Sequence, residues 1–136
     1  MNQMIKTIKE VHKEYVCLFK IGNFYHAYGR DAYILAYMFD YKVRNIEKDK
    51  KECGFPVSII GRITAKLEDK KINYVLIDNR NNYYVDQKYD KGNLNQYKNI
   101  YEKARNYVNY NGNVNNNNYN NNLGVRPVAS KKLWLC

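Results

Sequence analysis

Tyr15 to Tyr28 reads YVCLFKIGNFYHAY. Its first half, Tyr15 to Ile21, is a β-rich apolar run of strand length. Gly22-Asn23 follows, a pair that suits the positive φ angles of a tight turn. Phe24 to Tyr28 then reads as a second strand. The stretch therefore predicts a β-hairpin, and the rest of the chain can be read outward from it. Alternation along the second strand puts Phe24 and His26 on one face and Tyr25 on the other.

Upstream, Met4, Ile8, Val11 and Tyr15 recur at i, i+4, i+7 and i+11. That spacing predicts one apolar face of a helix, with Lys6, Lys9 and Lys13 outside it. Downstream, Gly29 breaks the strand, and Asp31 stands where a carboxylate favours a helix N-terminus. Ala32, Leu35, Ala36 and Phe39 carry that helix to about Phe39. Lys42 to Ile46 reads as a strand and Glu47 to Glu52 as a charged turn. Cys53 to Val57 is apolar, but Pro56 restricts it to a strand edge or a loop. Ser58 is placed to cap a helix whose inner face is Ile60, Ile63 and Leu67. Ile72 to Asp78 is a strand, Asn79 to Asn82 a turn, and Tyr83 to Asp86 a strand that completes a second hairpin. Tyr97, Ile100, Tyr101, Ala104 and Val108 mark a last helix. The expected fold class is α/β (α+β): a mixed β-sheet with flanking helices, in the order α-ββ-α-β(β)-α-ββ-α.

The character changes after Val108. Ten of the 14 residues from Asn109 to Asn122 are asparagine. Such a tract cannot bury enough apolar surface to fold alone. The expected organisation is one domain over 1–108 and an Asn-rich, disordered tail over 109–136.

The 136 residues are 45% hydrophobic and 15% aromatic, with a net charge of +10, enough for one core under a basic surface. Only three of the 23 basic residues and none of the 13 acidic ones lie beyond Val108, so 1–108 carries +7. That balance favours a polyanionic partner, nucleic acid first and an anionic membrane surface second. No apolar run approaches the roughly 20 residues of a membrane span. Lys6, Lys9 and Glu10 interrupt the N-terminus, which does not read as a signal peptide. Cys17, Cys53 and Cys136 are odd in number and far apart, and His12 and His26 are too few for a histidine cluster. A reducing, cytoplasmic setting without metal or cofactor is expected.

Catalysis finds no support in the residues. There is no GxxxxGK[ST] loop for a nucleotide phosphate. No serine or cysteine stands in a recognisable His/acid constellation. Asp78 and Asp86 sit where hairpin strands often end in aspartate. A binding protein is expected. Its candidate contacts are Phe24 and His26 on the hairpin, Lys20 and Arg30 flanking it, and the basic cluster around Lys42, Arg44, Lys48, Lys50 and Lys51. An aromatic side chain beside a ring that can donate and accept hydrogen bonds suits base reading. Read from the residues alone, Phe24 and Tyr25 also fit an ordinary hairpin core with His26 on the surface. Tyr33, Tyr37, Tyr97 and Tyr101 fall at helical spacing and read as packing, within the core or at an interface. Tyr83-Tyr84 sends one ring to each face.

Cys17 to Phe39, CLFKIGNFYHAYGRDAYILAYMF, resembles the start of MutS domain I. There a strand leads to a Gly-Asp-Phe-Tyr-Glu turn and strand, then a Phe or Tyr, then a helix opening Asp-Ala. Gly22, Phe24, Tyr25, Tyr28, Asp31 and Ala32 match in order. Cys53-Gly54-Phe55-Pro56 is similar to the family's Gly-hydrophobic-Pro segment, Thr64-Ala65-Lys66-Leu67 to its Leu-Ala-Lys-Leu helix, and Tyr74 to Ile77 to its next strand. The resemblance covers roughly Ile5 to Asp86. It implies that Phe24 stacks on a base from the minor groove. The family glutamate that bonds this base falls at His26, and the family aspartate at Asn23. That departure implies weaker mismatch discrimination and stronger general binding.

The tail carries a second resemblance. Dense asparagine followed by Gly124-Val125-Arg126-Pro127-Val128 resembles the variable-repeat end of target proteins in diversity-generating retroelements. Such elements carry MutS-like accessory proteins. The two resemblances together imply a non-catalytic accessory factor that binds template RNA, cDNA or an RNA–DNA hybrid, with a reverse transcriptase as partner. The competing readings are a stand-alone binder of mismatched DNA in repair and a protein-docking adaptor.

Overall fold

A computed structural model describes residues 3–47, 50–80 and 82–111. Of the expected tail over 109–136, Asn109 to Asn111 continue the last helix, whereas residues 112–136, with Arg126, Lys131, Lys132 and Cys136, and Lys48 of the basic cluster lie outside the described residues. The elements are α1 (Gln3–Val11), β1 (Val16–Ile21), β2 (Phe24–Tyr28), α2 (Arg30–Phe39), β3 (Arg44–Glu47), β4 (Lys50–Pro56), α3 (Ile60–Asp69), β5 (Tyr74–Asp78), β6 (Tyr84–Tyr89) and α4 (Leu94–Asn111). The order is the expected one. The strands form a six-stranded sheet in the order β3-β4-β2-β1-β5-β6. β1 and β5 are parallel and every other pair is antiparallel, so the sheet is mixed.

Strand alternation divides the core in two. Val16, Leu18, Ala27, Cys53, Phe55, Tyr74 and Leu76 pack with residues of α2, α3 and α4, such as Leu35, Ile63, Leu67, Tyr97 and Ala104. Cys17, Phe19, Tyr28, Val75 and Ile77 point the other way and pack under Ile5 and Ile8 of α1. Three helices thus cover one face, and a single short helix covers part of the other.

Several local expectations are corrected. On α1 the buried side is Ile5, whereas Met4 is 41% and Val11 71% exposed. Lys9, expected outside, turns inward and donates to the Tyr28 carbonyl at 2.9 Å and to Asp31 Oδ2 at 2.9 Å. Asp31 is buried, an unpaired buried carboxylate is costly, and Lys9 supplies its counter-charge. Of the expected turn Glu47 to Glu52, Glu47 ends β3 and Lys50 to Glu52 open β4, while Lys48 and Asp49 lie outside the described residues. Charged residues continue β3 and open β4, because only alternate positions of those strands face the core. β4 is an interior strand. Pro56 is tolerated because it is the last residue of β4, opposite Phe24. Ser58 does not cap α3: it lies in a short 3-10 turn, Val57–Ile59, and no side chain caps the helix. At the β1–β2 turn Gly22 alone takes a positive φ, of 65°, and Asn23 instead offers its carbonyl to the Val57 N–H at 2.9 Å. A positive φ at the first central residue only is the pattern that needs glycine there.

The tyrosine stripe of α4 is spent within the chain. Tyr97 is 1% exposed, Tyr33 and Tyr101 rings lie 6.2 Å apart, and Tyr37 meets Tyr107 edge-on at 5.7 Å. No helix among the described residues is long and apolar enough to cross a membrane.

Candidate nucleic-acid interface

The β1–β2 turn delivers the chain straight into Phe24. This residue opens β2 and is 37% exposed, on the sheet face that α1 only partly covers. His26 follows on the same face, half-buried. Its neighbour across the strands is Gly54. A Cβ added at Gly54 would stand 3.1 Å from the Tyr25 carbonyl oxygen and 3.7 Å from His26 Nδ1, so glycine here makes room for the ring. The ring lies parallel to Tyr28, with centroids 6.3 Å apart and planes at 9°.

What holds His26 comes from β4. Glu52 is 5% exposed, and its Oε2 lies 2.6 Å from His26 Nδ1. Its other oxygen accepts from Arg44 Nε at 3.0 Å and Nη2 at 2.6 Å. Burial pushes the Glu52 carboxyl up, but the hydrogen bonds from His26 and Arg44 outweigh it and hold the group below the ordinary carboxylate range. An ionised carboxylate only accepts, so Nδ1 must carry the proton in this pair. Nε2 is left as the ring's second hydrogen-bonding atom, with its tautomer set. The arrangement therefore offers an exposed aromatic side chain on the same face as an oriented imidazole, which is backed by a carboxylate that Arg44 also engages.

The remaining candidates are placed differently. Arg44 shares the face of His26 through Glu52. Lys42 is exposed, in the segment that leads into β3. Lys20 alternates with Phe19 and so points to the opposite sheet face, opposite Tyr25 and Asp78. Arg30 lies beyond the far end of β2, where its Nη2 donates to the Lys13 carbonyl at 2.9 Å. The sheet therefore sets Phe24 and His26 on one face, joins Arg44 to His26 through Glu52 nearer the other end of β2, and leaves Lys20 and Arg30 elsewhere. Asp78 is engaged by Arg80 through Nε at 3.0 Å and Nη2 at 2.8 Å. Tyr83 packs edge-on against Phe19 at 6.4 Å, while Tyr84 is 40% exposed, so the two rings do part.

The family model of MutS domain I matches residues 1–97. The chain belongs to the MutS domain I family. No curated protein matches it in sequence. The match runs from α1 through β6 into the start of α4, and so contains the whole Phe24 face. Membership makes the chain a mismatch-recognition-like module of the DNA-binding kind.

Within this MutS domain I chain, the residue missed by sequence reasoning is Glu52. It closes the run EKDKKE, which reads as a solvated turn. The signal that would have found it is alternation traced back from Phe55: Cys53 and Phe55 face one way, so Glu52 and Gly54 face the other, toward His26.

Proposed function

We propose that this MutS domain I protein is a non-catalytic nucleic-acid-binding module that reads a distorted base step with Phe24 and His26. The observation that carries the reading is Phe24, exposed at the head of β2 beside an imidazole whose tautomer Glu52 sets. Wedging an aromatic ring between bases must offset unstacking of about a few kcal/mol per step, which is least at mismatched or flexible steps. Stacking returns roughly 1–3 kcal/mol per base. With Nδ1 tied to Glu52, neutral His26 offers an acceptor at Nε2, and the imidazolium a donor. Neither form repels phosphate as a glutamate would. Arg44 offsets the charge of Glu52 on that side, and the net charge of +10 supplies sequence-independent attraction.

The biological setting we propose is that of a cytoplasmic accessory factor of a diversity-generating retroelement, which holds template RNA, cDNA or their hybrid for a reverse transcriptase. The Asn-rich run and Gly124-Val125-Arg126-Pro127-Val128 support this reading. A stand-alone role on mismatched DNA in repair is the second reading, favoured by the family match.

The test is a fluorescence-anisotropy titration of the full chain against matched duplex, G·T-mismatched duplex, RNA–DNA hybrid and single-stranded RNA, each at two salt concentrations. Preference for the hybrid or RNA supports the retroelement role, and preference for the mismatch supports repair. Phe24→Ala should weaken the mismatched-duplex or hybrid complex about tenfold with the fold intact. Unchanged affinity removes Phe24 from the site, and binding that ignores salt leaves a protein-docking adaptor instead.

A further inference from the structure

A second basic surface lies at the other end of the β1–β2 hairpin, about 16 Å from Phe24 if β2 and Gly29 rise by roughly 3.3 Å per residue. There α1, the start of α2 and α4 line a cavity of about 500 Å³. The floor of the cavity is already satisfied. Asp31 is 1% exposed and receives Lys9 Nζ at 2.9 Å, the Tyr97 hydroxyl at 2.6 Å and the Cys17 N–H at 3.2 Å. The buried carboxylate is thus neutralised from inside and presents no charge to a ligand. The rim is different: Lys6, Lys13 and Arg30 are exposed there, opposed by Glu10.

Arg30 divides this cavity from a second hollow of about 270 Å³, to which Lys51, Tyr33 and Tyr101 contribute. Its guanidinium lies over Tyr97 at 5.0 Å and over Tyr101 at 5.7 Å, and Nη2 is anchored on the Lys13 carbonyl at 2.9 Å. The cation is therefore positioned before any ligand arrives, which reduces the ordering cost of binding. A guanidinium carries five N–H groups, more than one carbonyl can use.

We propose that this cleft is a separate site for single-stranded nucleic acid, in which Arg30 takes a phosphate and the nucleosides on either side of it enter the two hollows. A hollow on each side of one oriented planar cation matches the alternation of base and phosphate along a strand. A duplex keeps its bases stacked inside and cannot offer them to the hollows. A lone anion would use one hollow only. The cleft does not depend on the Phe24 reading: a protein with both sites holds a distorted duplex or hybrid at one end of β2 and an unpaired strand at the other.

The full chain and labelled oligo(dT) and oligo(U) test it by anisotropy at low and at physiological salt. Lys6→Glu with Lys13→Glu reverses the exposed rim, and Arg62→Glu on α3 with Lys70→Glu just after it makes the same change of net charge away from the cleft. The rim pair should cost about tenfold more single-strand affinity than the α3 pair. It should also flatten the salt slope by about 1.4, the value for roughly two phosphate contacts at about 0.7 each. Arg30→Gln should weaken the same complex, and Phe24→Ala should leave it intact while weakening the duplex or hybrid. Equal losses from the two charge-reversed pairs would reduce the cleft to general attraction. Loss of single-strand binding in Phe24→Ala would move that binding to the other face, and no single-strand binding at all would overturn the site. A failure of the Phe24 reading would register only in the duplex and hybrid arms.

Discussion

His26 stands where the family has a glutamate, and Glu52 beside it makes the histidine intelligible. A carboxylate already fills the space behind position 26, so a second one would meet it at close range in a half-buried place. His26→Glu alone should therefore lower the melting temperature by roughly 5 °C, for like-charge repulsion of about 1 kcal/mol. His26→Glu with Glu52→Gln should recover most of it and raise mismatch preference; melts of both variants by circular dichroism decide the first claim. If the single variant melts like the parent, the two side chains are not coupled. Glu52 also predicts an acid response. Its carboxyl is lowered from 4.5 in the folded chain, so its stabilisation is complete above that value and lost as pH falls through the lowered one. Urea midpoints measured downward from pH 6 should fall more steeply for the parent than for Glu52→Gln. Asp78, held down to about 2 by hydrogen bonds from Arg80, loses its contribution in a lower window, between 3.8 and about 2.

At the scale of elements, two tethers join distant parts of the chain. The Tyr97 hydroxyl of α4 donates to Asp31 of α2 at 2.6 Å, and burial together with the Asp31 charge pushes that phenol well up. Tyr97→Phe keeps the ring and removes the donor, leaving Asp31 Oδ1 short of a partner in a buried place. The expected loss is about 1–3 kcal/mol by urea unfolding, and a neutral result would mean that the aspartate is satisfied without α4. The second tether is the loop between β6 and α4. Gly92 donates to Asn73 Oδ1 at 2.7 Å, and a Cβ there would stand 2.2 Å from the Lys71 carbonyl oxygen. Gly92→Ala should destabilise by roughly 1–3 kcal/mol, because backbone rather than a flexible side chain must move; an unchanged urea midpoint would show that the loop shifts freely. Element types and order were legible, since apolar residues on α2 and α4 recur at helical spacing and β1 and β5 are short β-rich apolar runs. The phase of α1 was not, because Lys9 is drawn inward by Asp31, a residue 22 positions away. Nor was the interior place of β4, because its edge or centre position depends on whether β3 pairs with it.

At the scale of the whole molecule, the described residues place three helices on one face of the sheet and one short helix on part of the other, and Phe24 lies exposed on that second face. The chain carries a net charge of +10, so affinity for any nucleic acid should fall with salt. Log affinity plotted against log salt for a matched duplex should be linear and negative. A flat line would assign the charge to solubility alone. Of the nine expected contact residues, Phe24 and His26 could be placed on one face from the sequence because a two-residue period is a local property of one strand. Lys20 was misplaced for the same reason in reverse: its face is set by alternation with Phe19, whereas nearness in sequence suggested that it flanked the hairpin.

The sequence by itself determined the order of elements, the mixed α/β character, the hairpin with its glycine turn, and membership of the MutS domain I family, because each rests on local periodicity or on ordered short motifs. The tertiary structure alone decided that Glu52 sets the tautomer of His26, that Asp31 is a buried junction for Lys9, Cys17 and Tyr97, and that Arg30 belongs to a cleft remote from Phe24. Those pairings join residues 14 to 66 positions apart. Burial and strand pairing bring such residues together, and neither can be read from the spacing of residues along a chain.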